Sequence, residues 1–402
     1  MEDSKKEYYA NLTTKELEVL ALQGDPEAQF RLGSRYRRGD GIKKSLTKAV
    51  EWYTKAADQG HLGAQNDIGN CYLDGLGVEK DSEKGVNWIA KAAKQGLADA
   101  QYNLGKCYKE GEGIKQDFRQ AVKWYTKAAE QGHSWAQNNL GICYENGEGV
   151  RKNYKKSAEW YTKAAEQGAT KAQYRLALFY ELGIGVESDI NKAVEWYTKA
   201  AEQGHSEAQY AVALFYEMGY VVKEDHVKAV EWYTKSAKQG LAKAQYNLAI
   251  CYQKGDGVKQ DCAKAVYWYK KAAKQGLAVA QSNLAMCYQE GEGIKQNEIQ
   301  GVKWYKKAAE QGDLSAIFGL GLCYHFGRGV KVNPKKAVEW YTHAAIQGHP
   351  MAQNNLGECY LQGFGIDKDL VKAKKWFAKA AEQGDPEAQK KLLELRAKQT
   401  HP

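Results

Sequence analysis

The sequence predicts an all-α chain built as a solenoid of stacked helix pairs, and three observations carry that prediction. Trp stands at 52, 88, 124, 160, 196, 232, 268, 304, 340 and 376, a spacing of 36 residues every time. Gln-Gly recurs at the same interval from Gln23-Gly24 to Gln383-Gly384. Columns of Tyr (Tyr36 to Tyr360) and Ala (Ala28 to Ala388) run beside it without a gap. Self-similarity at a fixed period of this length marks a repeat array rather than separate globular domains. Ten full repeats therefore span 24–383, flanked by a capping helix in 1–23 and another in 384–402.

The N-terminal cap opens with Thr13-Thr14-Lys15-Glu16, a capping-box pattern in which threonine and glutamate satisfy each other's backbone N–H groups. Each repeat then reads as two helices. The first follows Gln-Gly, as in the segment SEAQYAVALFYEMG from Ser206, and stops at the first glycine of a Gly-x-Gly loop. The second starts at a column holding Ser45, Asp81, Asp117, Asn153, Asp189, Asp225, Asp261, Asn297, Asn333 and Asp369. The side-chain oxygens of these residues accept from free N–H groups at a helix start. The helix ends at the next Gln-Gly, whose glycine fits a left-handed terminus. Pro26, Pro334, Pro350 and Pro386 each fall one residue past a predicted cap, where a missing N–H costs least. The C-terminal cap starts at Asp385-Pro386 and places Arg396 where the repeats carry Tyr.

Apolar residues keep helical spacing in both helices. Ala100, Leu104, Gly105, Cys107 and Tyr108 form one stripe, and Ala121, Trp124, Tyr125, Ala128 and Ala129 the other. Neither helix buries its stripe alone, so the pairs must stack. The outer face carries Glu-to-Lys pairs four apart, such as Glu51/Lys55 and Glu195/Lys199, which lend modest helix support.

The pattern AxYxLGxCYxxGxGVxxDxxKAVEWYxKAAEQG covers essentially the whole chain. It resembles the Sel1-like repeat, a relative of the tetratricopeptide repeat that is two residues longer. The resemblance implies an α/α right-handed superhelical solenoid of stacked antiparallel helix pairs. It also implies a protein-binding scaffold or adaptor rather than an enzyme. Members of that family serve mostly in bacterial secretion, host interaction and envelope regulation, or in eukaryotic protein degradation and cell-wall synthesis.

Composition narrows the partners. No run approaches 18 consecutive apolar residues, so no membrane insertion is expected. Residues 1–20 lack the apolar core and cleavage site of a secretory signal. Lys+Arg number 58 against 49 Asp+Glu, but the signs are mixed throughout, which speaks against a nucleic-acid face. Seven of the eight cysteines (Cys71, Cys107, Cys143, Cys251, Cys287, Cys323, Cys359) share one column, which Phe179 and Phe215 fill in two repeats. A column that accepts Phe is a packing position. Disulfide-stapled, exported relatives carry a second cysteine per repeat, and here only Cys262 lies outside the column. The expectation is a reducing, cytoplasmic setting. Delivery into a host cell is the other route that the resemblance leaves open.

Motifs for chemistry are sparse. No pair has metal-ligand spacing, so neither metal nor cofactor is expected. Nine Gly-x-Gly loops lack the preceding strand and the Lys-Ser/Thr of a phosphate cradle, and they read as turns. The tenth loop, Gly219-Tyr220-Val221, implies that the second glycine is dispensable. Ser45-Leu46-Thr47-Lys48 matches the serine–lysine pattern of penicillin-recognising enzymes, and supports the alternative reading as a hydrolase or penicillin-binding protein. Its companion motifs are absent, and Ser45 already serves as a helix cap. His61, His133, His205 and His349 share a loop column and are expected to start helices.

If framework columns hold the fold, function belongs to columns that vary. By the tetratricopeptide resemblance the first helix of each pair lines the concave face, where five columns vary. The first contains Trp135, the one tryptophan outside the framework, with Glu27, Lys171, Lys243 and Met351. The second holds Phe30, Tyr102, Tyr174, Tyr210, Tyr246 and Phe318, and the third Asn103, Asn139, Asn247, Asn283 and Asn355. The fourth is apolar through Ile142, Leu178, Leu214, Ile250, Met286 and Leu322, but polar at Ser34, Asn70, Lys106 and Glu358. The fifth holds Glu145, Glu181 and Glu217.

These columns predict a groove for an extended segment of another protein. Asparagines donate to and accept from a peptide backbone whatever its sequence. Tyrosines offer contact area at low entropic cost. An apolar floor would bury partner side chains, and the glutamates favour a basic or mixed-charge partner. The competing expectation is that the fourth column and the tyrosines pack between neighbouring first helices. Arg31, Arg35, Arg37 and Arg38 form either a solvated edge or an anchor for an acidic partner. Nothing in the pattern sets an oligomeric state.

Overall fold

The computed structural model describes residues 7–9 and 11–400, with side chains described as far as residue 395. The Arg396 side chain lies outside the described residues. Twenty-two helices are laid out, and no strand occurs among the described residues. Two compact units divide the chain, Met1–Gln203 and Gly204–Pro402.

The first unit contains α1 (Thr14–Leu22), α2 (Pro26–Arg38), α3 (Leu46–Asp58), α4 (Leu62–Asp74), α5 (Ser82–Lys94) and α6 (Ala98–Glu110). It continues with α7 (Phe118–Glu130), α8 (Ser134–Asn146), α9 (Tyr154–Glu166), α10 (Thr170–Leu182) and α11 (Ile190–Glu202). The second unit contains α12 (Ser206–Met218), α13 (His226–Lys238), α14 (Ala242–Lys254), α15 (Cys262–Lys274), α16 (Ala278–Glu290) and α17 (Glu298–Ala309). It closes with α18 (Leu314–Phe326), α19 (Pro334–Ile346), α20 (Pro350–Gln362), α21 (Leu370–Glu382) and α22 (Pro386–Thr400). Within each unit, helices that follow one another in sequence pack on one another.

Local chemistry sets the boundaries. The second helices take their caps from the predicted column: the Lys84 N–H donates to Asp81 at 2.9 Å, and that of Lys48 to the Ser45 hydroxyl at 3.3 Å. The box at α1 forms as well, with the Thr13 N–H donating to Glu16 at 2.7 Å. The four histidines cap first helices through Nδ1, which accepts from Ala64, Ala136, Ala208 and Ala352 N–H at 3.1, 3.2, 3.4 and 3.2 Å. An accepting Nδ1 carries no proton, so the hydrogen of the neutral ring sits on Nε2. At His61 that nitrogen meets Glu27 at 2.9 Å, and this bond holds the Glu27 carboxyl down at about 2.

The core follows the stripes. Tyr53, Tyr125, Tyr161, Tyr197, Tyr233, Tyr269 and Tyr341 are fully buried, and the rings of Tyr53, Tyr125, Tyr161 and Tyr341 lie against Gly33, Gly105, Gly141 and Gly321 of the facing first helices. The framework tryptophans lie beneath a lysine three residues on, except Trp340, which has His343 there: Lys55 lies 4.2 Å above the Trp52 ring, and Lys235 3.7 Å above Trp232. Lys199 pairs with Glu195 at 2.7 Å as the sequence suggests. Lys55 covers its indole, and no Glu51–Lys55 pair forms among the described residues.

Two features of the stacking go beyond the sequence pattern. Buried glutamines one residue after the Ala column link successive repeats. Gln101 donates to the Ala93 carbonyl at 3.2 Å and accepts from Gln131 at 2.7 Å, and Gln245 likewise pairs with Gln275 at 2.8 Å. Ile317 breaks this ladder in the second unit. The second glycine of the loops also has a packing role. A Cβ on Gly113, Gly149, Gly257 or Gly293 would collide with the Ser82, Phe118, His226 or Cys262 carbonyl of the preceding repeat. The reading of that glycine as dispensable is therefore corrected for these loops. Its replacement, Val221, adopts φ 73°, a left-handed conformation that β-branched residues resist.

All eight cysteines are free, and the seven of the shared column are buried. Burial pushes the Cys71 thiol up to about 11 and Cys107 to about 12.

Candidate partner-binding face

The variable columns lie along the first helices, half on the surface and half in the packing. Second-column rings rest on the buried tyrosines: Tyr102 on Tyr125 and Tyr246 on Tyr269 at 5.9 Å between centroids, Tyr174 on Tyr197 and Tyr210 on Tyr233 at 5.8 Å. Phe318 sits 5.9 Å from Tyr341 and stacks on the capping His349 at 4.7 Å. Tyr102 stacks on His133 at the same distance, 4.7 Å. Fourth-column residues are half-buried at Ile142 and Leu178 in the first unit and at Leu214, Ile250 and Leu322 in the second, while Met286 is exposed.

Part of the polar equipment is already engaged. Asn247 and Asn283 donate to the hydroxyls of Tyr233 and Tyr269 at 3.0 and 3.2 Å, and Asn103 donates to Asn66 at 2.8 Å. Each such amide keeps a second N–H and a carbonyl for other partners. Asn139 lies near the Tyr125 hydroxyl without meeting hydrogen-bond geometry, and that buried hydroxyl has no partner among the described residues. Glu145, Glu181 and Glu217 accept from Tyr161, Tyr197 and Tyr233 at 2.6, 2.5 and 2.5 Å. Burial first, and then these carboxylates, raise the three phenols above their ordinary range. The fifth column thus ties the two helices of a repeat together at the lip of the face.

The second unit holds the more elaborate concavity. α16 and α18 approach each other directly here, flanking a cavity of about 350 Å³. Met286, Phe318, Leu322 and Met351 provide apolar walls, and Asn283, Ser282 and Ser315 add polar groups. Arg328 and Glu290, paired at 2.8 Å, stand at the same cavity. Tyr305 also lines it, although its column is otherwise fully buried. Two glycines explain this departure. Gly301 stands where most repeats carry Ala, and an added Cβ would lie 2.6 Å from Gln289 Nε2. The Gln289 carboxamide fills that space and donates to the Glu298 carbonyl at 3.1 Å. Gly319 leaves room for the Tyr305 ring, which would stand 2.8 Å from a Cβ there.

In the first unit, Trp135 is 62% exposed. It borders a cavity of about 380 Å³ with Asn138, Gln167, Gly168, Thr170 and Lys171. The buried Asn138 Oδ1 has no partner there among the described residues.

The Sel1 repeat family model matches residues 26–61, 63–97, 98–133, 136–168, 170–205, 206–241, 242–277, 278–313, 314–349 and 350–385. The chain belongs to the Sel1 repeat family. Among solved structures it is similar to a protective antigen of uropathogenic Escherichia coli strains that displays an SLR fold. Identity is 36% over 97% of this chain and 91% of that one, with a TM-score of 0.63. It is also similar to a Sel1 repeat protein from Oxalobacter formigenes, at 34% identity over 77% of this chain and 89% of that one, TM-score 0.56. A Sel1-like repeat-containing protein of Acanthamoeba polyphaga mimivirus matches over 45 residues at 44% identity. That match spans 11% of this chain and only 8% of the viral protein.

The remaining sequence candidates of this Sel1 repeat chain are accounted for locally. The Ser45 hydroxyl caps α3, and the Lys48 ammonium lies 5.3 Å above the Tyr36 ring. Arg35 bonds Thr14 and the Leu12 carbonyl at 2.9 and 2.5 Å, which pins α1 to the first repeat. Arg31 pairs with Glu27 at 2.5 Å, Arg37 with Asp67 at 3.7 Å and Arg38 with Asp40 at 3.8 Å. No group of three metal-ligating side chains occurs among the described residues, and none of their helices is long and apolar enough to cross a membrane. Tyr305 and Gly301 escape a reading by variable columns because they occupy framework positions, and Gln289 and Gly319 because they stand in the fifth and third columns without the glutamate or asparagine that marks those columns. Their signal in the sequence is the pair of glycines that breaks the Ala and Asn columns.

Proposed function

We propose that this Sel1 repeat scaffold holds an extended segment of another protein along its first-helix face. The observation that carries the reading is the cavity of the second unit. Five residues of the variable columns, Asn283, Met286, Phe318, Leu322 and Met351, converge there on one concavity. Apolar walls with a few placed polar groups form the usual composition of a binding site. Half-buried aromatic rings already held by their neighbours lose little freedom when a partner covers them. Eight free thiols, seven of them buried, fit a reducing compartment.

The test is selection of random peptides on the immobilised full chain, followed by titration of selected peptides. Binding that falls at least about tenfold in Leu214→Ser and Leu322→Ser, with helical content unchanged, supports the reading. Peptides that bind both variants as well as the parent, or no selected peptides at all, would refute it.

A further inference from the structure

The cavity between α16 and α18 has a feature that a plain apolar groove does not need. Gln289 lines it and is 4% exposed, yet its Oε1 has no hydrogen-bond partner among the described residues. Its Nε2 is spent on the Glu298 carbonyl, so the carboxamide cannot simply turn over to satisfy the oxygen without losing that bond. A buried acceptor left unmade is costly, and such atoms are expected to meet a partner.

We propose that this cavity takes an aromatic side chain bearing a hydrogen-bond donor, tyrosine or tryptophan, from the extended segment of a partner protein. The proposal rests on the groove reading above and names what the groove selects. An orphan carboxamide oxygen asks for a donor. Phe318 and Tyr305 offer aromatic contacts, and the thioethers of Met286 and Met351 favour ring edges. Arg328 and Glu290 neutralise each other at 2.8 Å, so the cavity has no charge to offer a lysine or a carboxylate. About 350 Å³ lies at the small end of ligand pockets, a volume suited to one side chain rather than to a cofactor.

The selected peptides provide the test. A tyrosine or tryptophan recurring at one position is expected. Replacing that tyrosine by phenylalanine, or that tryptophan by 1-methyltryptophan, should weaken binding to the full chain about tenfold. In Gln289→Leu the tyrosine and phenylalanine peptides should bind alike. The peptide-side comparison needs no mutant, so it decides the matter even if Gln289→Leu fails to fold. Selected peptides that bind equally with phenylalanine overturn the donor pocket and leave the groove standing. A chain that selects no peptides overturns both.

Discussion

Tyr305 takes the room that Gly319 leaves. Its ring would stand 2.8 Å from a Cβ on that glycine, fourteen residues further along the chain. In other repeats, that of Tyr125 apart, the tyrosine hydroxyl reaches back to the first helix of its own repeat, as Tyr269 does to Gln253 at 2.7 Å. In the Tyr305 repeat the equivalent glutamine, Gln289, is diverted to the Glu298 carbonyl through the gap at Gly301. One framework ring is thereby released to line the candidate site.

Loop glycines differ in what they tolerate, which gives a paired stability test. Gly132 has φ 88° and nothing within 4 Å of the place a Cβ would take, so Gly132→Ala should cost only the left-handed penalty, about 1–2 kcal/mol. Gly149 has φ 72° and faces the Phe118 carbonyl as well, so Gly149→Ala should cost at least about 2 kcal/mol more. Urea midpoints of the two variants check this, and equal losses would show that the loop does not dock as described.

Val221 is the mirror case. Returning it to glycine removes a strained conformation at φ 73°, offset in part by the entropy of glycine in the unfolded chain. Val221→Gly should stabilise by about 1 kcal/mol, read as a raised denaturation midpoint.

Two buried phenols differ only in their bonding. The Tyr161 hydroxyl donates to Glu145 at 2.6 Å, whereas that of Tyr125 has no partner among the described residues. Tyr161→Phe should cost about 2 kcal/mol, and Tyr125→Phe should change stability by less than about 0.5 kcal/mol. A loss at Tyr125 equal to that at Tyr161 would mean that Asn139 bonds that hydroxyl in solution.

Acid should loosen the second unit through two imidazoles. Burial holds both His325, stacked on Phe364 at 4.2 Å, and His349 below their ordinary range. The unfolded chain therefore takes up these protons first. Their contribution is complete above the unfolded value of about 6.5 and is lost as pH falls through the lower folded values. His226, raised chiefly by its bond to Glu224, acts in the opposite sense. In a His226→Gln background the melting temperature should fall between pH 7.5 and 5.5. His349→Asp should shrink that fall, because Asp313 and Asp25 cap the same column.

Trp135 is exposed enough to be removed without harm to the fold. Trp135→Ala should shift stability by no more than about 0.5 kcal/mol while weakening any segment bound across the first unit. Calorimetry and peptide titration separate the two effects.

What was legible in the sequence was what acts over a few residues. The cap at Asp81, the turn at Gly96 and the stripe from Ala121 to Ala129 each depend on neighbours within one or two helical turns, so a period of 36 displayed them ten times over. The columns that vary were legible for the same reason. Their meaning was less so: Asn283 could be placed on the first-helix face, but not its bond to the Tyr269 hydroxyl. Tertiary structure alone decided that bond, the glutamine ladder from Gln101 to Gln131, and the release of Tyr305. In each case the deciding quantity is a volume or a distance between residues 14 to 30 apart. A missing Cβ reads as a mere glycine until the neighbour that fills its place is known.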